Sequence, residues 1–136
     1  MKNTFKILKL SALILFFFFI AGNENAKACE IKFQIVKNEK STYNIGDELV
    51  VRVVVERTHR RCEVGIDATE FSGDGLKVIA ATPWKETGNG LFTRDLKVKV
   101  TGNKNGKLVL YAQRTCSRQG GLGKLELKGV LPKKKK

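Results

Sequence analysis

One histidine and three cysteines are the residues with the most chemistry to offer in this chain. His59 and Cys62 sit together in Thr58-His59-Arg60-Arg61-Cys62-Glu63-Val64, with Cys29 and Cys116 far away in sequence. Three chemistries are open to this set. Two cysteines can form a disulfide, most naturally Cys62 with Cys116, or Cys29 with either; a closed loop of about 50 residues is nominally worth roughly 2–4 kcal/mol. Alternatively, Cys29, His59, Cys62 and Cys116 can make a Cys3His set for zinc, which takes sulfur and nitrogen tetrahedrally, or for copper, which thiolates select as Cu(I). Against a cation stand Arg57, Arg60 and Arg61 around the histidine, and Arg114 and Arg118 around Cys116. That field favours thiolates and anions, so a redox-active or anion-binding group is the third reading. The disulfide is favoured and the metal or thiol-redox site is the alternative. The odd cysteine count leaves at least one thiol lipidated, metal-bound, intermolecular or free.

Catalytic patterns are missing. There is no H-E-x-x-H, no P-loop and no G-x-S-x-G. Gly120-Gly121-Leu122-Gly123 has the glycines of a phosphate loop, but no helical pattern follows it. A protein without enzymatic activity is expected, with no cofactor unless the cysteines bind zinc or copper.

Whether a disulfide is permitted depends on compartment. Lys2, Lys6 and Lys9 precede an apolar run over residues 10–20, and Ala26-Lys27-Ala28 follows a short polar stretch. This is the pattern of a secretory signal over residues 1–28, too short to span a bilayer. An exported chain in the periplasm or at the cell surface can hold disulfides. Cleavage after Ala28 would make Cys29 the first residue and raise the prospect of a lipid anchor there, although Lys27 fits a lipoprotein signal badly.

The elements that must position the cysteines read as strands. Period-two alternation marks Ile31, Phe33 and Ile35; Leu49, Val51, Val53 and Val55; Leu96, Val98 and Val100; Leu108, Leu110 and Ala112; and Leu125 and Leu127. Turn chemistry separates them at Asn44-Ile45-Gly46-Asp47, Ser72-Gly73-Asp74-Gly75, Gly88-Asn89-Gly90, 102–106 and Gln119-Gly120-Gly121. Seven strands are expected, over 30–37, 48–57, 64–69, 76–82, 91–101, 107–116 and 122–131. They imply one all-β sandwich over residues 29–131, followed by a basic tail at 132–136.

Tyr43-Asn44-Ile45-Gly46-Asp47, before the alternating valines at 49–55, resembles the first hairpin of bacterial immunoglobulin-like sandwich domains. The resemblance implies a seven-stranded immunoglobulin-like β-sandwich and little about activity, because function belongs to sites. It also implies a shared pole for Cys29, His59, Cys62 and Cys116, since the loops carrying them cluster at one end of that topology.

Charge narrows the partners. The first 28 residues hold four lysines and one glutamate, so residues 29–136 carry 22 basic and 12 acidic residues, net +10. Lys133, Lys134, Lys135 and Lys136 can hold anionic lipid headgroups, polymers or nucleic acid by long-range attraction. Nucleic acid is the poorest of these, because no aromatic platform is interleaved with the basic residues. Trp84, after Pro83, reads as a cap on the core, or else as a contact residue. Arg60, Arg61, Arg114 and Arg118 are the expected anion contacts. The chain is thus expected to be a binding module of the bacterial cell envelope. Its partner would be an envelope protein or an anionic polymer, and it would reach a membrane only through a lipidated Cys29 or the basic tail.

Overall fold

The computed structural model describes residues 29–58, 64–116, 120–131 and 133. The expected signal sequence at 1–28 lies outside them. Eight strands follow in order: β1 (Cys29–Lys37), β2 (Glu48–Arg57), β3 (Glu70–Asp74), β4 (Leu76–Ala81), β5 (Lys85–Gly88), β6 (Leu91–Val100), β7 (Lys107–Arg114) and β8 (Gly121–Lys128). One sheet has the order β1-β2-β6-β4, with β5 also paired to β6; the other has the order β3-β7-β8. All of these pairings are antiparallel. The fold is therefore an all-β sandwich of two sheets. No α-helix occurs among the described residues, and no helix there is long and apolar enough to cross a membrane.

The alternating rows do what their period requires. Leu49, Val51, Val53 and Val55 of β2, Leu96, Val98 and Val100 of β6, and Leu108, Leu110 and Ala112 of β7 are fully buried and pack together between the sheets. Most residues out of phase with them lie on the outer faces, Val109 being a buried exception, and there Arg52 and Asp95 are direct cross-strand partners. Arg52 Nε donates to Asp95 Oδ1 at 2.7 Å and Nη2 to Oδ2 at 3.0 Å, a bidentate pair that staples the outer face of the larger sheet.

Two departures from the expected strand list have local causes. Residues 64–69, expected as a strand, instead contain a short 3-10 helix at Ile66–Ala68, and the strand begins only at Glu70. That stretch never alternates cleanly, and its carbonyls are collected by the Arg114 side chain rather than by a neighbouring strand. The eighth strand, β5, continues the line of β4 along the same edge of β6. The register slips between Val78 and Ala80 and again between Glu86 and Gly88. Such bulges twist an edge away from pairing with another chain.

The motif at 43–47 closes one end of the sandwich. Tyr43 is buried, and its hydroxyl accepts the Lys40 N–H at 2.9 Å. Gly46 takes φ +97°, which a side chain would resist, and its N–H donates to Val100 O at 2.8 Å. Asp47 Oδ2 accepts the Asn44 N–H at 2.9 Å. Tyr43 also bridges Gly129 in parallel, so the segment after β1 seals the end of β8.

At the opposite end β1 crosses β8 closely. A side chain at Gly121 would place its Cβ 2.9 Å from Cys29 Cβ, and one at Gly123 would come within 2.6 Å of Ile31 Cγ2. The glycines that resemble a phosphate loop in sequence are there to let two strands touch.

Candidate functional site

Three strands carry an arginine in phase with an apolar row, Arg57 and Arg114 at its end and Arg94 within it. Arg57 is in phase with Leu49, Val51, Val53 and Val55; Arg94 with Phe92, Leu96, Val98 and Val100; Arg114 with Leu108, Leu110 and Ala112. An inward-facing cation has to exit at the rim or find donors' partners inside. These three resolve the conflict in different ways; Arg57 and Arg114 lie at one end of the sandwich, and Arg94, opposite Val53, sits partway along its strand toward that end. That end also holds the start of β1, since Cys29 pairs with Arg57, and the start of β8, since Gly121 pairs with Arg114.

Arg114 is 2% exposed. Its Nη1 donates to Thr69 Oγ1 at 2.7 Å, Ile66 O at 3.0 Å and Gly65 O at 3.2 Å; its Nη2 donates to Val64 O at 3.2 Å. The guanidinium thus stands in for a missing strand partner and fixes the connection between β2 and β3. Each such bond from a charged donor is stronger than one between neutral groups.

Arg57 and Arg94 lie on aromatic faces. The Arg57 guanidinium carbon is 4.5 Å from the Phe92 ring centre, and that of Arg94 is 5.0 Å from the Trp84 ring centre. Contacts of this kind contribute about 0.5–1 kcal/mol at exposed sites. Arg94 Nε also donates to Thr82 O at 2.9 Å. Neither arginine has a carboxylate within ion-pair distance among the described residues. Each guanidinium is thus held over a ring rather than by a carboxylate among the described residues. Trp84 packs against the core as expected, and its buried indole N–H has no acceptor among the described residues.

The expected site residues divide as follows. His59, Arg60, Arg61, Cys62 and Arg118 lie outside the described residues, as do Lys134, Lys135 and Lys136. Cys29 is 1% exposed within β1, and Cys116 is half-buried just beyond β7. No two cysteines among the described residues are joined, so Cys29 and Cys116 do not bridge each other. Cys29 is instead enclosed by the crossing of β1 with Gly121. No group of three or more histidine, cysteine or acidic side chains that could hold a metal ion occurs among the described residues. Arg114, expected as an anion contact, is buried and donates to Val64, Gly65, Ile66 and Thr69. Arg94 was not expected at all, although its phase with Leu96 and Val98 is a signal that the sequence carries.

The geometry defines a two-sheet all-β sandwich with an arginine-lined end. Comparison of the chain with protein-family models, with curated proteins and with solved structures finds no match.

Proposed function

We propose that this chain is an exported, non-enzymatic binding module of the cell envelope, and that Arg57 and Arg94 hold a partner bearing carboxylate or phosphate groups. The observation that carries this reading is the pair of ring-stacked guanidinium groups without acidic partners among the described residues. Arginine presents a planar fork that matches such groups in two-point fashion, and stacking pre-orders that fork. The arginines of this end disfavour a bound cation, which weighs the reading away from zinc or copper.

We further read the sandwich as immunoglobulin-like. The order β1-β2-β6-β4 over β3-β7-β8 supports this, because it parallels the ABED and CFG sheets of that fold, with β5 as an added edge piece. In that topology the connections after β2 and β7 share one end, which is where binding loops of such domains lie. Export is supported by the n-region lysines, apolar run and Ala26-Lys27-Ala28. Burial of Cys29 counts against a lipid anchor on its sulfur.

The test is capture from an envelope fraction at low and high salt with three proteins: residues 29–136, an Arg57→Lys/Arg94→Lys double variant, and a chain ending at Pro132. The expected partner survives high salt, is lost with the double variant and is kept by the shortened chain. Lysine keeps the charge but loses the fork and the stacking. Capture that follows total charge alone, unchanged in the double variant and lost with the tail, would refute the reading.

A further inference from the structure

The end opposite the arginines has a different chemistry. It is built from the turn at 44–47, the 101–106 connection and the segment after β8, tied by backbone bonds from Val130 N–H to Tyr43 O and from Gly129 N–H to Gly106 O. Asn103 links the last two, its Nδ2 donating to Val130 O and its Oδ1 accepting the Gly106 N–H. Three aliphatic side chains project from this frame into water: Ile45 at 66%, Leu131 at 64% and Val130 at 43% exposure. A core this well filled has no need to leave them out, and turns this short accept polar residues at no cost.

Lysines flank that apolar tip on both outer faces. On the larger sheet Lys77 and Lys99 are direct cross-strand partners, and on the smaller sheet Lys107 and Lys128 are. Like charges directly opposite one another destabilise a sheet, so two such rungs at one end are unfavourable for folding alone. Lys107 finds some relief in Glu126 at 3.3 Å, and Lys40 in Asp47 at 3.0 Å. Glu48 faces Lys99 from β2 and pairs with Lys97 at 2.7 Å, and Glu39 and Asp74 are the other acids nearby, against Lys104, Lys133 and the three lysines that follow in sequence. The acidic counterpart, the Glu30–Glu56 rung, lies toward the arginine end. The arrangement is an aliphatic tip between two banks of ammonium groups.

We propose that this lysine end docks on an anionic lipid surface, Ile45, Val130 and Leu131 entering the headgroup layer while the Lys77–Lys99 and Lys107–Lys128 rungs lie against its charge. Stable attachment to a bilayer takes two signals, and an apolar insertion joined to a polybasic patch supplies both. Compact ammonium groups suit a diffuse anionic surface better than they suit one fitted partner. Docking this way stands the sandwich upright and turns the arginine end outward, at a distance set by strands of ten residues, about 30 Å. The proposal rests on this end alone and does not need the arginines to bind anything.

Sedimentation of residues 29–136 with vesicles tests it, using phosphatidylcholine alone and an equal mixture of phosphatidylcholine and phosphatidylglycerol. Binding is expected only to the mixture. An Ile45→Ser/Leu131→Ser variant, altered at exposed positions, should bind the mixture roughly tenfold more weakly. It should still bind dextran sulfate as the parent does. Removal of residues 133–136 should weaken vesicle binding by a hundredfold or more, roughly, at about 1 kcal/mol for each lysine near the surface. The Arg57→Lys/Arg94→Lys variant should bind vesicles unchanged. Undiminished vesicle binding by the serine variant would overturn the proposal in favour of tail electrostatics. A vesicle-free dimer that the serine variant abolishes would overturn it in favour of a second copy of the chain on the tip.

Discussion

Both ends of the sandwich are closed by a buried polar side chain, but one is a cation and the other is neutral. At the arginine end, Arg114 reaches into the connection between β2 and β3 and donates to three carbonyls and one hydroxyl. At the lysine end, Tyr43 buries its ring, accepts one backbone N–H and leaves the remaining bonds to the main chain. Taking a guanidinium out of water costs several kcal/mol, and this is repaid only if nearly every donor is used. A phenol carries no such debt. The arginine end therefore holds together as a unit or not at all, whereas the lysine end can lose a bond and keep its shape. Recognition placed at the first end gains a rigid frame. The second end needs only to present its charge and its aliphatic tip.

The largest expected effect comes from removing the buried cation. Arg114→Met keeps the apolar stem but strips the donors from the carbonyls of Val64, Gly65 and Ile66 and from Thr69 Oγ1, which keeps only its own bond to Ile66 O. Losing these charge-assisted bonds, one of them buried, should cost about 2 kcal/mol, read as a lower urea midpoint with an unchanged slope. Loss of under 1 kcal/mol, roughly, would mean that the connection holds its shape by itself and that the contrast between the ends is wrong. The matching change at the other end is Tyr43→Phe. It removes only the bond from the Lys40 N–H and should cost about 1 kcal/mol. Amide exchange should then quicken near Lys40 while the Tyr43–Gly129 bridge stays protected.

What the sequence disclosed about the two ends follows from how each is encoded. The strands with unbroken rows, such as Leu49 to Val55 and Leu108 to Ala112, are legible because the period of two is strict and local. The turn at Tyr43-Asn44-Ile45-Gly46-Asp47 is legible for the same reason: Gly46 and Asp47 act on their immediate neighbours. The region 64–69 is not, because its conformation is decided by Arg114, some 50 residues away in sequence. A short edge strand such as β5 has no buried row to announce it; all four of its residues are exposed. Arg57 and Arg114 stand out in the sequence as basic residues near the loops, whereas Arg94, inside β6, does not. Their roles depended on phase, and extending each apolar row by one step puts all three on the inner face. That the start of β1 and the end of β7 lie at one end was legible from topology, whereas the opposing lysines required the register.

Acid separates the two ends more gently. The Asp47 carboxyl at the lysine end is held below the usual carboxylate range, first by the Asn44 N–H and then by the Lys40 ammonium. Asp95, mid-sheet, is held down mainly by its hydrogen bonds with Arg52. A lowered folded value means that the unfolded chain takes up protons first. The stability these groups lend is fully present above about pH 4, the unfolded value, and is lost as pH falls through the lower folded value. Thermal melting should show Asp47→Asn below the parent near neutrality, the two curves converging in acid. A gap that stays constant with pH would show that Asp47 acts through shape and not charge.

The smallest effect bears most directly on why the lysine end is built as it is. Lys77 faces Lys99 across β4 and β6, and Lys99 faces Glu48 on its other side. Replacing Lys77 with glutamate turns a repulsive rung into an attractive one and should raise stability by about 0.5 kcal/mol, within the range of cross-strand pairs. A domain selected for folding alone would gain by that change. If the end serves an anionic surface, the same Lys77→Glu variant should melt higher and bind mixed vesicles more weakly, since a cation is replaced by an anion at the contact. Opposite signs in the two measurements would tie the strain to the docking. A variant that is more stable and binds equally well would mean that the rung is merely tolerated, and that the apolar tip and tail carry the contact without it.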